Sequence, residues 1–419
     1  MYTVVLDGDP TGTQSVSGLR VLLRWNANSI VAALISDGAV YLQTNSRAIP
    51  EGEAVELASL IKYQLAEVES RVGSPILVVL RGDSTLRGHV FAESDVFAGD
   101  DGRILFVPAF PAGGRTTVGS VHYVRIGGAD LPAAETELAR DPVFGYRQSQ
   151  LIEWVRETGN RRAVAVPLEN VRASGGAAVA DALRCAGPGE AIVPDAEIDD
   201  DILPIHAGLR TVLQASTHVV VRSGALLAAI CAGHPRDGLI ARPVDVPEDD
   251  GLLVVCGSHT AASTGQLQRL TEVLGIPPIE IATDLARADP EKAGSAAAVQ
   301  AAHYLREHRV AVLITERHRR AEHGTLADGE VVMTATRILA KQAGVIVSQG
   351  GITAAEVART GLGASHVYVR GQIEPGISVW DMTLEGRSRM QIVVPGNVGE
   401  AETLVDVLSS LEQTTMEDM

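Results

Sequence analysis

The sequence predicts an α/β protein of two domains, each a mostly parallel sheet flanked by helices, with the site in the cleft between them. Three observations predict this architecture. Short apolar runs alternate with helical patterns along most of the 419 residues. Hydrophobic residues make up 46% of the chain and aromatic residues only 4%, which suits parallel strands covered by helices of small residues. The alternation lapses near residues 235–251, where three prolines and several acids indicate a linker.

The predicted strands are apolar runs that end at polar or glycine-rich segments. Before the linker they lie at residues 3–7, 39–44, 76–80, 104–108, 163–167, 191–194 and 218–224. After it they lie at residues 252–258, 278–282, 310–315, 344–351, 366–371 and 391–399. Apolar residues from Leu57 to Val72 recur at spacings of three and four, which predicts an amphipathic helix. The predicted domains are residues 1–234 and 252–419, joined by the linker 235–251.

Composition and charge exclude several classes of function. The net charge of -17 argues against nucleic acid and anionic membranes as partners, since both attract basic surfaces. No apolar run approaches the roughly 20 residues of a membrane span, and the first residues do not resemble a secretory signal. Cys185, Cys231 and Cys256 are far apart and fit no zinc or disulfide framework, so a cytoplasmic location is expected.

The segment from Val78 to Gly88 is the most informative part of the chain. An apolar strand stops at a run that contains Arg81, Gly82, Asp83, Ser84 and Arg87. In an open α/β sheet, ligands bind just beyond the carboxyl ends of the strands. Arginine binds carboxylates and phosphates, and aspartate can hold a hydroxyl group or accept its proton. The segment therefore predicts a site for a small, anionic, hydroxylated molecule; the alternative is a surface turn with a local Arg–Asp pair.

Other predicted strands of the first domain also end in polar loops. Asp7, Asp9, Thr11 and Thr13 form a loop of oxygen atoms suited to hydroxyl groups or a hydrated metal, although an Asp-rich turn has the same composition. Two further loops supply Arg47 and, in a glycine-rich segment, Arg115. A single loop arginine is usually solvated, but several at strand ends favour one shared site.

The second domain has glycine-rich loops after three strands, at residues 254–264, 347–358 and 393–399. Glycines before a helix expose backbone N–H groups, and the amino end of a helix favours phosphate. Neither a Walker A sequence nor a G-x-G-x-x-G fingerprint is present, and the missing fingerprint argues against a dehydrogenase. Three such loops favour a nucleotide or phosphate site over glycines used only for packing.

These motifs carry a resemblance. In chain order, the segments DPTGTQ, TNSRA, RGDSTLRGH, VPAFPAGGRTTVGSVHYV, ETELARDPVF, CGSHTAASTGQL, QGGITAAEVA, EPGISVW and VVPGNVG resemble the motif series of the four-carbon acid sugar kinase family. The resemblance implies a first domain that binds a small acid sugar and a second that binds ATP. It also implies transfer of the γ-phosphoryl group to a terminal hydroxyl, with Mg²⁺ neutralising phosphate charge. The protein metal ligands and homo-oligomerisation are left open.

The resemblance assigns residues to each ligand by motif. On the acid-sugar side, which Arg87 and Arg115 also join, the residues are Asp9, Arg47, Arg81, Gly82, Asp83 and Ser84. On the ATP side they are Ser258, Gly350, Gly351, Ile352, Thr353, Gly396 and Asn397. Asp83 and Asp9 are the candidate general bases, and Asp83 is favoured because it lies between two arginines.

One position departs from the family pattern. Gly8 stands where relatives have the first of two adjacent acids, and Asp7 is a candidate to compensate from one position earlier. This departure leaves an alternative function open, a non-catalytic regulatory protein that binds an acid sugar and a nucleotide.

Overall fold

The computed structural model describes residues 1–8, 12–235, 238–246, 251–281, 283–317, 336–339, 342–396 and 398–411. The chain divides into two compact units. The first comprises residues 1–19 and 25–235, and the second comprises residues 20–24 and 236–419. The short segment 20–24 is thus part of the second unit, which the sequence analysis did not anticipate. The predicted linker boundaries stay a prediction.

The first unit is built on a parallel sheet. In chain order its strands are β1 (Tyr2–Asp7), then β3 (Ala39–Gln43), β4 (Ile76–Arg81), β5 (Arg103–Val107), β9 (Ala163–Val166), β10 (Ala191–Pro194) and β11 (Val219–Ser223). Their order across the sheet is β3–β1–β4–β11–β5–β10–β9, with every neighbouring pair parallel. Three strands that the sequence did not predict, β6 (Arg115–Val118), β7 (Val121–Ile126) and β8 (Ala129–Pro132), form a small antiparallel sheet.

Helices of the first unit follow most of these strands. They are α1 (Ala27–Asp37), α2 (Glu51–Val72), α3 (Val90–Ala98), α4 (Leu151–Gly159), α5 (Leu168–Ala173), α6 (Ala177–Cys185), α7 (Ile202–Gln214) and α8 (Ala225–Ala232). Helix α2 confirms the predicted helix, since Ile61, Leu65 and Val68 of that stripe are buried, whereas Leu60 of the same stripe is 54% exposed. A core of aromatic and aliphatic side chains packs around Trp154, which stacks on Phe106 with ring centroids 5.2 Å apart.

The second unit is also built on a mostly parallel sheet. Its strands are β2 (Leu19–Leu22), β12 (Gly251–Cys256), β13 (Ile279–Ile281), β14 (Val310–Thr315), β15 (Ala343–Gln349), β16 (His366–Glu374), β17 (Ile377–Leu384) and β18 (Arg387–Val394). Their order is β13–β14–β12–β15–β18–β17–β16–β2. The first five of this order are parallel, whereas β17 runs antiparallel to its neighbours β18 and β16.

Helices of the second unit cover both faces of its sheet. They are α9 (Ala261–Leu274), α10 (Thr283–Ala288), α11 (Pro290–His308), α12 (Gly351–Glu356) and α13 (Thr403–Ser409). Thr260 caps the amino end of α9, and Gly275 ends that helix in the left-handed conformation (φ 66°), as predicted. The two units confirm the predicted α/β fold class. In the parts of the chain described above, no helix is both long and apolar enough to span a membrane.

Candidate active site

The first unit carries a polar pocket at the carboxyl ends of its central strands. The strand order places β1 between β3 and β4, so the chain reverses direction across the sheet at β1. Such a reversal opens a crevice where open α/β sheets bind ligands. The pocket here is lined by Gly8, Ser46, Arg47, Gly82, Asp83, Arg87, Gly88, His89, Glu93 and Arg222. Loops far apart in the sequence therefore meet in one place.

Asp83 is at the centre of the charge network in this pocket. Its Oδ2 accepts hydrogen bonds from Arg47 Nη1 at 2.6 Å and from Arg87 Nε at 2.9 Å, and its Oδ1 accepts one from the Thr85 N–H at 2.9 Å. Burial by itself raises the pKa of Asp83. The two arginines and the Thr85 N–H outweigh burial and hold that pKa well below its usual range. Asp83 is therefore an ionised carboxylate that two guanidinium groups share.

Arg115 extends this network from a neighbouring strand. The sequence predicts a loop position, but Arg115 is the first residue of β6 and is only 9% exposed. Residues 115–118 form a strand because they pair with residues 121–124. Burial lowers the pKa of Arg115. The nearby charge of Asp83 raises this pKa, and the nearby charge of Arg87 lowers it. Its charge thus contributes to the field around Asp83.

Buried side chains hold the loop that carries Asp83. His122 Nε2 lies 2.8 Å from the Ser84 carbonyl and its Nδ1 lies 3.0 Å from Thr117 Oγ1. Burial lowers the pKa of His122 to about 4, so the ring is neutral near pH 7. Because a carbonyl only accepts, Nε2 carries the proton. Tyr146 Oη donates a hydrogen bond to the Thr85 carbonyl at 2.9 Å. His122 and Tyr146 thus hold the backbone of the two residues that follow Asp83.

A buried ion pair lies beneath the same loop. Arg222 Nη1 contacts Glu93 Oε2 at 2.6 Å, and the two residues are 4% and 6% exposed. A Cβ at Gly82 would lie 2.9 Å from Arg222 Nη2, so the missing side chain at Gly82 makes room for the guanidinium. The sequence analysis missed both charged residues. Arg222 is a single basic residue in an apolar strand, and Glu93 is one of several acids on helices.

Arg81 does not occupy the place that the sequence analysis gave it. Its side chain is 3% exposed, is not among the residues that line the pocket, and contacts Asp7 Oδ1 through Nη1 at 3.3 Å. Asp7 and Arg81 are register partners on β1 and β4, so their side chains project from the same face of the sheet. Asp7 is fully buried there and is not among the residues that line the pocket, and its compensating role stays a prediction. Gly8 faces the pocket, where a Cβ would lie 2.8 Å from Ser46 Oγ.

The glycine-rich loops of the second unit meet one another. They follow β12, β15 and β18. The strand order of this sheet reverses between β12 and β15, so the loops lie at a second reversal of the kind seen in the first unit. Gly350 has a φ of 106°, and a Cβ there would lie 3.2 Å from the Ser258 Cβ. A Cβ at Gly396 would clash with the Ser258 side chain, and one at Gly257 would clash with Thr353. The predicted residues Ser258, Gly350, Thr353 and Gly396 are therefore neighbours, held close by the absence of side chains on the glycines.

Hydroxyl groups line the amino end of α9 at this place. Ser263 Oγ donates to Ser258 Oγ at 2.8 Å, and it also contacts the Gly396 carbonyl at 3.1 Å. Thr260 Oγ1 accepts the Ser263 N–H at 3.2 Å and so caps the helix. Small hydroxylated residues and a helix amino end are features that suit phosphate oxygens.

Arg317 is a basic residue at the same helix end, and the sequence analysis did not select it. It follows β14, and its guanidinium donates to the Ser258 carbonyl at 2.6 Å and to Thr264 Oγ1 at 2.5 Å. None of the carboxylates in the described ranges forms an ion pair with it. A cation beside the amino end of a helix is electrostatically unfavourable unless an anion joins them. The sequence pattern offered no signal for it, because it lies at the start of a charged segment that reads as a solvated loop.

Comparison with known proteins shows which family this chain belongs to. Residues 3–230 match the family described as the sugar-binding N-terminal domain, and residues 253–404 match the nucleotide-binding C-terminal domain. A D-threonate kinase of Cupriavidus necator is 26% identical over 88% of this chain and 86% of its own length. A D-threonate kinase of Bordetella bronchiseptica is 28% identical over 79% of this chain and 77% of its own length. The chain belongs to the four-carbon acid sugar kinase family. By this membership it is an enzyme of the sugar-acid kinase class.

Solved structures agree with the family on the fold. A protein of Salmonella typhimurium LT2 superposes with a TM-score of 0.69 and a protein of Haemophilus influenzae with a TM-score of 0.62. Each match covers 97% of this chain and 98% of the other, at 16% sequence identity. The α/β architecture is thus shared across the length of the chain.

Some family positions lie outside the described residues. Asp9 and Asn397 are among them, and the side chain of Ile352 is not described, although its backbone lies in α12 together with Gly351. Within the described ranges, no three His, Cys, Asp or Glu side chains are grouped so that they could hold a metal ion. The roles of these positions in the kinase family pattern stay predictions.

Proposed function

We propose that this protein is an ATP-dependent kinase that phosphorylates a terminal hydroxyl of a four-carbon acid sugar. The observation that carries the proposal is Asp83 held between Arg47 and Arg87 in a pocket at the carboxyl ends of the strands. Arginines there suit a carboxylate, and an aspartate suits a hydroxyl group. The names of the two curated relatives make D-threonate the first acid to test.

The acid-sugar site is assigned to the pocket of the first unit. Arg47 and Arg87 bind the substrate carboxylate, because their side chains are 22% and 20% exposed while Asp83 is 8% exposed. Arg115 adds positive charge, which helps to draw an anion into a protein of negative net charge. Asp83 accepts a hydrogen bond from the acceptor hydroxyl. Arg81 supports Asp7 in the core and takes no direct part.

The nucleotide site is assigned to the meeting glycine loops of the second unit. Ser258, Gly350, Gly351, Thr353 and Gly396 supply hydroxyl groups and backbone N–H groups for the phosphates of ATP. Arg317 and the positive amino end of α9 together favour a phosphate anion at this place. Mg²⁺, when bound, would be held by the ATP phosphates and one or two carboxylates and would neutralise phosphate charge. Its protein ligand stays open, and Asp9 remains a candidate.

Phosphoryl transfer requires little covalent chemistry from the protein. The acceptor oxygen and the γ-phosphorus must lie in line, and the protein contributes positioning and charge stabilisation. A carboxylate beside the hydroxyl takes its proton as the new bond forms. We assign this proton to Asp83, with Asp9 as the other candidate.

The test is a coupled ADP-release assay across four-carbon sugar acids of defined stereochemistry, with D-threonate first. We expect ADP release that depends on both ATP and one acid, with a product phosphorylated on a terminal hydroxyl by NMR. ADP release at the same rate with and without every acid, by a folded protein that binds ATP, would contradict the proposal.

A further inference from the structure

Asp83 occupies the arginine pair in the way that a substrate carboxylate would. Arg47 Nη1 and Arg87 Nη2 lie 2.6 and 2.7 Å from the same oxygen, Asp83 Oδ2. A carboxylate is also the group that the pocket is proposed to bind. The protein therefore already contains an internal competitor for its own substrate-binding arginines.

The exposed fractions of the Arg47, Arg87 and Asp83 side chains indicate which of them a substrate meets first. An incoming anion reaches the arginines first, because each is more than twice as exposed as Asp83. Arg87 keeps other contacts if it moves away from Asp83, since Nη1 lies 3.5 Å from Asp141 Oδ2 and Nε lies 3.1 Å from Thr85 Oγ1. Asp83 keeps the Thr85 N–H on Oδ1, so its Oδ2 becomes available without the loop moving.

We propose that the substrate carboxylate takes the arginine pair from Asp83 Oδ2 and thereby frees this oxygen to act as the proton acceptor for phosphoryl transfer. The proposal rests on the proposed function. The hydroxyl proton passes to Asp83 Oδ2, and the hydroxyl oxygen forms the new bond to the γ-phosphorus. The bond from that phosphorus to the β,γ-bridging oxygen breaks, its electron pair stays on ADP, and Asp83 later releases the proton to water.

The direction of the charge effects agrees with this exchange. Two guanidinium groups make Asp83 a weak base, as its lowered pKa shows. A second carboxylate nearby and the loss of hydrogen bonds to Oδ2 both favour the protonated form of Asp83. The substrate carboxylate is thus required for the chemical step, and not only for binding.

The experiment compares the best acid with the matching tetritol, in which a CH₂OH group replaces the carboxylate. We expect kcat with the tetritol to be lower by about 10²–10⁴-fold, the scale of general-base loss. We also expect formate to accelerate the phosphorylation of glycerol, whereas an equal concentration of chloride should not. Formate supplies the carboxylate of the sugar acid, and glycerol supplies its three hydroxylated carbons. A tetritol kcat equal to that of the acid, with only KM raised, overturns the proposal, and so does equal acceleration by chloride.

A variant separates this role from a structural one. Arg47→Gln leaves Asp83 with one guanidinium, so the ratio of kcat for the acid to kcat for the tetritol should fall by about tenfold or more. A merely structural defect would lower both rates and leave the ratio unchanged. Arg162→Gln, at a side chain 85% exposed, is the control and should keep the wild-type ratio. Failure of every acid refutes the proposed kinase function, whereas an active acid with a ratio near one refutes only the exchange.

Discussion

Arg222 and Glu93 form an ion pair of 2.6 Å in the interior of the first unit, directly beneath Gly82. Removing one member of a buried pair leaves an uncompensated charge and costs about 3–5 kcal/mol. We therefore expect Glu93→Gln to lower the free energy of unfolding by an amount in that range, measured by urea denaturation. Asp130→Asn breaks an exposed pair with Arg125 and should cost at most about 1 kcal/mol. Equal losses of unfolding free energy in the two variants would show that the buried pair contributes no more to stability than the exposed one.

Asp83→Asn should separate catalysis from binding. The substitution keeps the shape and removes the proton acceptor, so kcat should fall by about 10²–10⁴-fold. It also removes the internal competitor for Arg47 and Arg87, so the acid sugar should bind at least as tightly as to the wild type. Calorimetry with the acid and the ADP-release assay measure the two effects. Normal turnover by Asp83→Asn would transfer the role of general base to Asp9.

Arg317→Gln should weaken nucleotide binding. Hydrogen bonds to charged groups contribute about 1.5–3 kcal/mol, so we expect the Kd for ADP to rise by roughly 10–150-fold. Binding of the acid sugar should not change. Arg306→Gln, an exposed position on α11, is the matched control in the same unit. An unchanged Kd for ADP in a folded Arg317→Gln protein would remove this residue from the site.

His122 should make stability depend on pH. Its folded pKa of about 4 lies below the usual 6.5, so the unfolded chain binds more protons between these values and stability falls as the pH drops. The loss attributable to His122 between pH 7 and pH 5 is about 2 kcal/mol. His122→Gln should lack this part of the slope when both proteins are unfolded in urea at the two pH values. Parallel slopes would mean that the folded pKa is not depressed.

Gly350→Ala should strain the nucleotide loop. A φ of 106° costs about 1–3 kcal/mol for a residue with a Cβ, and the new methyl group would press on Ser258 at 3.2 Å. We expect lower stability and weaker ADP binding. Gly265→Ala is the opposite case, because Gly265 lies inside α9 with open space around it and alanine favours a helix by about 0.5–1 kcal/mol. Loss of stability in the Gly265→Ala variant but not in the Gly350→Ala variant would contradict our interpretation of these two glycines.

The sequence predicted most of the sheets, because buried parallel strands are short apolar runs that stand out from their neighbours. The sequence analysis missed strands β2, β6, β7, β8 and β17, since they mix polar and apolar residues, and the last four of these pair in antiparallel fashion. Arg47, Asp83 and Arg87 were expected at one site because strands of one sheet end at one edge.

Other parts of the site depend on tertiary geometry. Whether Arg81 or Gly82 faces the pocket is set by strand alternation, and a shift of one residue exchanges the two faces. The pairing of Arg222 with Glu93 joins residues 129 positions apart. The contact of Arg317 with the Ser258 carbonyl joins residues 59 positions apart. No local pattern records such contacts, so only the folded chain could supply them.

The assignment of residues 20–24 to the second unit has a consequence for biosynthesis. Arg24 donates a hydrogen bond to the Arg359 carbonyl, a partner 335 residues later in the chain. At about 5–20 residues per second, a ribosome makes that partner roughly 20–70 s after Arg24. Strand β2 is therefore made long before β16, its neighbour within the second unit. Cutting the gene between the units would therefore deprive the second unit of one of its strands.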